Sequence, residues 1–129
     1  MRTHPGHLHL FVAPVLALGL ASALSLAFAA DPPTGTYATK GNITLTLDGK
    51  GQFRVSDGKT TKVAGSYTVK GDQLQLTDKD GPWACTKKEE QSGTYTWTLD
   101  QSVLKLVKVS DLCADRVSSL TTTSWKSAR

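Results

Sequence analysis

The feature that most restricts the folding of this chain is a hairpin unit written three times. "GTYATKGNITLTLD" starts at Gly35, "GSYTVKGDQLQLTD" at Gly65 and "GTYTWTLDQSVLKL" at Gly93, and each reads glycine, hydroxyl residue, tyrosine, polar turn, then an apolar-x-Leu pair. Apolar and polar residues alternate through and between these units. Ile43, Leu45 and Leu47 alternate with Thr44 and Thr46, and Phe53 and Val55 with Gln52 and Arg54. Val63, Tyr67 and Val69 oppose Thr68 and Lys70, Leu74 and Leu76 oppose Gln75, and Tyr95, Trp97 and Leu99 oppose Thr94, Thr96 and Thr98. Successive side chains of a strand face opposite ways, so each segment buries one face and wets the other. The threonine-rich outer faces suit extended backbone.

Turn formers punctuate the pattern. "DGKG" at 48–51, "DGKT" at 57–60, "KGDQ" at 70–73 and "DQS" at 100–102 close tight antiparallel hairpins. Strands are predicted near 34–40, 42–48, 51–57, 61–70, 73–78, 92–100, 102–109 and 122–127, with one short helix in "SDLCADRVSSL" at 110–120 before the last of them. Eight short strands with one apolar face and no helix to cover it must bury that face against themselves. Closure also removes exposed edges, so the expected fold is all-β, an eight-stranded antiparallel up-and-down barrel. An immunoglobulin-like sandwich competes, because Cys85, Trp97 and Cys113 occur in the required order. Those cysteines are close in sequence for a bridge between sheets, and position 111 is Asp rather than the Tyr of that fold.

The first 29 residues carry Arg2, an apolar run "LHLFVAPVLALGLASALSLAF" and a small-residue exit in which Ala27 and Ala29 fit an A-x-A site. This is the order of a secretory signal peptide, with cleavage before Ala30 or one residue later. An uncleaved anchor is the alternative, since about 20 apolar residues just span a bilayer; Pro14, Gly19 and the small exit favour cleavage. The reading is therefore a signal peptide at 1–29 and a barrel domain at 30–129, secreted or periplasmic, with no stable membrane insertion once the leader is gone.

Cleavage would remove His4, His7 and His9, all 3 histidines of the chain. Without imidazole neither a Ser-His-Asp nor a Cys-His site can form, and most zinc sites need His or clustered Cys. No catalytic or metal-binding residue is assigned, no cofactor is expected, and the protein is read as a non-enzyme. "DKDG" at 78–81 echoes a calcium loop but lacks its later ligands and reads as a turn. The 15 Lys and Arg, less Arg2, stand against 11 Asp and Glu. They are scattered among turns without interleaved aromatics, so nucleic acid is not an expected partner.

An exported chain with only 2 cysteines most simply pairs them. A Cys85–Cys113 bond closes a loop of about 28 residues, for which chain entropy gives about 3.6 kcal/mol. It would staple the helix, as a lid, to the "GPWACT" segment at one rim of the barrel. Asp111 is expected to cap that helix, Asp115 suits its first turn, and Leu112, Val117 and Leu120 form its apolar side.

The Gly35-Thr36-Tyr37 start, the meander of Gly-x-Tyr hairpins and an arginine in a short helix before the last strand make residues 34–127 resemble the small lipocalin-like bacterial members of the calycin group. Lipocalins proper carry Gly-x-Trp where this chain has Gly-Thr-Tyr. The resemblance implies a barrel that holds a small ligand. It also implies that Arg116 packs across Tyr37 at the barrel's end.

Tyr37, Tyr67, Tyr95 and Trp97 share the inward register and are the candidate ligand-binding walls. Arg116 is a candidate for an anionic head group if it faces the lumen. An eight-stranded barrel is either just filled by side chains or holds one small ligand, so these aromatics either line a pocket or fill it. Trp83 and Trp125 fall near rims. The favoured function is an exported monomeric binding module for a small apolar or amphipathic molecule. The alternative is a barrel that binds an envelope protein, such as a hydrolase it inhibits, through the 78–92 loop with Trp83, Lys87 and Lys88.

Overall fold

A computed structural model describes residues 32–128; the expected signal peptide at 1–29 and its expected cleavage site lie outside the described residues. Strands β1 (Gly35–Ala38), β2 (Ile43–Leu47), β3 (Gln52–Asp57), β4 (Thr60–Lys70), β5 (Gln73–Asp80), β6 (Ser92–Asp100), β7 (Val103–Asp111) and β8 (Trp125–Ser127) form a closed antiparallel barrel in sequence order. One helix, α1 (Ala114–Thr121), precedes the last strand. The expected fold class is thus observed, and the sandwich is excluded. Among the described residues no helix is long and apolar enough to cross a membrane.

Alternation places the core. Leu45, Leu47, Phe53, Val63, Leu74, Leu76, Leu104 and Leu106 are buried with Tyr37, Tyr67, Tyr95, Trp97, Leu120 and Trp125 in one cluster. Leu99 departs from its expected inward position: it lies at the tip of the β6–β7 hairpin and is 42% exposed. The hairpin turns use the predicted residues. In the β2–β3 turn the Asp48 carboxylate accepts from the Lys50 and Gln52 N–H groups, which holds its pKa below the usual range, while Gly49 and Gly51 take φ of 79° and 88°.

The repeated glycine has a steric explanation at two of its three positions, while at Gly35 a Cβ would meet nothing and the requirement is a φ of 133°. A Cβ on Gly65 would overlap the Thr77 carbonyl and lie 2.7 Å from the Phe53 ring, and a Cβ on Gly93 would overlap the Asp111 carboxyl group. Both glycines sit beside β-bulges, between Ala64 and Gly65 and between Thr94 and Tyr95, where strands bend to close the barrel.

β5 runs two residues beyond the predicted end at 78, through Asp80. The "DKDG" segment is therefore strand as far as Asp80, not turn, and continued alternation from Leu74 and Leu76 points Asp78 inward at 5% exposure. The up-and-down order brings the ends of β1, β3, β5 and β7 and the starts of β2, β4, β6 and β8 to one end of the barrel, where α1 and the 81–91 loop lie.

Candidate functional site: a roofed cavity with a buried acid–arginine cluster

Three strands and the helix deliver polar and charged groups to the helix end. Asp78 comes from β5, Asp111 from the end of β7, Tyr95 from β6 and Arg116 from α1. The Arg116 Nε donates to Asp111 Oδ2 at 2.6 Å, and Nη2 donates to Asp111 Oδ1 at 2.7 Å and to the Glu90 carbonyl at 2.6 Å. Nη1 donates to the Gln91 carbonyl at 3.2 Å and pairs with Asp78 Oδ2 at 3.0 Å. Four of the five N–H donors of the guanidinium make hydrogen bonds, and the Asp78 carboxylate is held beside Nη1 as an ion pair. The bidentate fork on Asp111 is the geometry for which arginine, not lysine, is suited.

The carboxylates are served unequally. Asp111 also accepts from the Tyr95 hydroxyl and, at 2.9 Å, from the Cys113 N–H. Asp78 Oδ2 accepts from the Cys85 N–H at 2.8 Å, but Oδ1 is buried with no hydrogen-bond partner. Burial pushes the Asp111 carboxyl up, yet its bonds from Arg116, Tyr95 and Cys113 outweigh this and hold it below the ordinary carboxylate range. Burial wins at Asp78 and raises it, against the Cys85 N–H and Arg116. Burial, with the carboxylate it donates to, also raises the Tyr95 phenol.

The disulfide ties this arrangement together. Cys85 and Cys113 are bonded, with Cα atoms 6.3 Å apart, and each contributes its backbone N–H to a different acid of the cluster. The expected cap at Asp111 takes a different form. The helix N-cap is Cys113, without a side-chain cap bond, and Asp111 reaches back only to the Cys113 N–H because Arg116 and Tyr95 hold its carboxylate. The expected apolar side of α1 also changes. Leu112 lies outside the helix at 69% exposure, and the buried face is Arg116 with Leu120, four residues apart.

A half-open cavity of about 910 Å³ is lined by α1, the 81–91 loop and the barrel end. Phe53, Val55, Val63, Leu76, Leu120 and Trp125 supply its apolar wall, Asp78 and Arg116 its buried polar wall, and the exposed Trp83 and Leu112 stand at its border. Trp125 helps to hold the roof, its indole N–H donating to the Leu120 carbonyl at 3.2 Å.

The residues singled out from the sequence divide between cavity and core. Of the candidate walls, Arg116 alone lines the cavity; Tyr37, Tyr67, Tyr95 and Trp97 do not. They pack the core at 8% exposure or less. Tyr67 accepts from the Gly49 N–H at 2.8 Å and Trp97 donates to the Gly71 carbonyl at 3.1 Å, so both rings are anchored to turns at the opposite end of the barrel. Arg116 does not take Tyr37 as a partner. Two carboxylates and two carbonyls occupy its plane, and Tyr37 stays in the core, its phenol pushed up by burial.

Trp83 is 48% exposed under the Lys62 ammonium, 5.4 Å from the ring centroid, and Lys87 and Lys88 are exposed on the same loop. The residues that sequence reasoning missed are Asp78 and Gly93. Alternation from Leu74 and Leu76 would have turned Asp78 inward, whereas the overlap of Gly93 with Asp111 depends on a bulge that the sequence does not announce.

Scans against protein-family models, curated proteins and solved structures returned no match to this chain.

Proposed function

We propose that this protein is an exported, non-enzymatic binding module that holds a small apolar or amphipathic ligand between the barrel and α1. The observation that carries the reading is the half-open cavity of about 910 Å³, with apolar residues on one side and a buried polar cluster on the other. Ligand sites of roughly 300–1,000 Å³ commonly combine apolar lining with a few fixed polar groups. The leader-like segment at 1–29 and the disulfide support export to an oxidising compartment, secreted or periplasmic. The test is native mass spectrometry of protein exported into such a compartment, beside the same sample denatured. An adduct released on denaturation is expected; a bare chain across preparations, together with failure of amphiphiles to bind, overturns the reading.

A second reading rests on the 81–91 loop. Trp83 is half-exposed, covered on one face by Lys62, and its backbone N–H donates to the Lys62 carbonyl at 3.0 Å, while Cys85 fixes the loop to Cys113 at the N-cap of α1. A preorganised aromatic of this kind suits an envelope protein partner. Lys88→Ala, an exposed position of this loop outside the cavity lining, would then weaken capture of that partner and leave ligand adducts unchanged.

A further inference from the structure

We infer that the ligand of this cavity bears a cationic head group, an alkylammonium or similar amine, received by Asp78. The inference rests on the binding-module reading and specifies its ligand. Four observations carry it. First, Arg116 spends four N–H donors on Asp111 and the Glu90 and Gln91 carbonyls and its remaining charge contact on Asp78, so it is committed within the protein rather than offered to an anion.

Second, Asp78 Oδ1 is the buried side-chain polar atom without a partner among the described residues, and Asp78 stands in the cavity wall. An acceptor left bare in an apolar site calls for a donor. Third, the cluster holds two carboxylates against one guanidinium and is one positive charge short. The other charged residues lining the cavity, Lys87, Glu90 and Asp115, do not correct this, since they add two acids and one base. The site is acidic although the whole chain has a formal net charge of +4. Fourth, Phe53, Val55, Val63 and Leu76 provide an apolar wall for a tail beside that acceptor.

The experiment is calorimetric titration of the disulfide-intact protein at pH 7 with decylammonium, decanol and decanoate, below their micelle concentrations. Decylammonium is expected to bind at least about tenfold more tightly than decanol, with decanoate weakest; about tenfold corresponds to 1.4 kcal/mol. Non-specific attraction to a basic protein would favour decanoate, so the expected order runs against the global charge. Asp78→Asn is expected to bring decylammonium to the level of decanol while leaving decanol unchanged, with thermal unfolding used to confirm that the variant folds. If it does not fold, the three wild-type titrations decide by themselves. Equal binding of all three overturns the head-group assignment and leaves the cavity reading standing. Binding of none overturns both.

Discussion

Truncating Arg116 to alanine is expected to remove a large share of the stability of the domain. The side chain makes three contacts to carboxylate oxygens and two to carbonyls, and the carboxylates it serves have side-chain exposures of 3% at Asp78 and 0% at Asp111. Without it, Asp78 keeps only the Cys85 N–H, and Asp111 keeps Tyr95 and the Cys113 N–H. Breaking a buried ion pair from one side costs about 3–5 kcal/mol, because the partner charge is stranded. Whole-domain stability is roughly 5–15 kcal/mol. For a domain of this size that loss lowers Tm by roughly 12–40 °C, read by tryptophan fluorescence during thermal and urea unfolding. Arg116→Lys is expected to recover part of it, since an ammonium restores the charge without the planar fork.

The pH dependence separates charge from packing. In the wild type Asp111 titrates below its ordinary value, so its contribution is present above the unfolded pKa of about 3.9 and is lost as pH falls through the depressed folded value. In Arg116→Ala, burial acts on both acids without the guanidinium. The penalty is then largest near pH 7 and shrinks as pH falls toward about 4, where the carboxyls take up protons. A loss below about 1 kcal/mol at pH 7, or an equal loss at both pH values, would refute the stranded-charge argument.

Other substitutions probe the remaining supports. Gly93→Ala places a methyl group inside the Asp111 carboxyl and is expected to cost about 1–3 kcal/mol; an unchanged urea midpoint would show that the bulge yields freely. Replacing Cys85 and Cys113 together with alanine opens a loop spanning 28 residues and is expected to cost about 3.6 kcal/mol by equilibrium unfolding. A cost near zero would mean that the polar cluster seats α1 unaided. In the β6–β7 turn Gln101 and Ser102 both take positive φ, 50° and 68°. Ser102→Gly removes the Cβ penalty there and is expected to add about 0.5–1 kcal/mol, a gain that a lowered Tm would contradict.

The barrel was legible because its rules are local. Period-two alternation and Gly-Asp turns fix hairpins one at a time, and a meander of hairpins with one apolar face has few ways to close. The disulfide was legible because two cysteines leave one intramolecular pairing. The site was less so. Arg116 was picked out, but its partners were not, because Asp78 looked like part of a turn and Asp111 like a helix cap; both assignments fail when a strand continues by two residues. Tyr37, Tyr67, Tyr95 and Trp97 were correctly placed inward. Which inward residues border the cavity depends on strand tilt and on where the helix rests, and neither is written in the alternation.

That division of the interior follows from how α1 is held. Apolar burial alone draws a lid down until the space beneath it is filled, since the hydrophobic effect has no preferred direction. Here α1 buries only Arg116 and Leu120, so little apolar area pulls it inward. Its position is set instead by directional bonds: the Cys113 disulfide and the Arg116 fork at its start, and the Trp125 indole on the Leu120 carbonyl near its end. At the other end of the barrel, Tyr67 and Trp97 fill the interior and attach to the hairpin turns. One end is packed and the other is propped, and the propped end is where Asp78, with its unpartnered buried oxygen, joins the apolar residues of the cavity wall. Weakening the props is therefore expected to affect binding as well as stability: Arg116→Ala is expected to lose ligand adducts in native mass spectrometry as well as thermal stability, and adducts retained in a destabilised variant would show that the props do not shape the cavity.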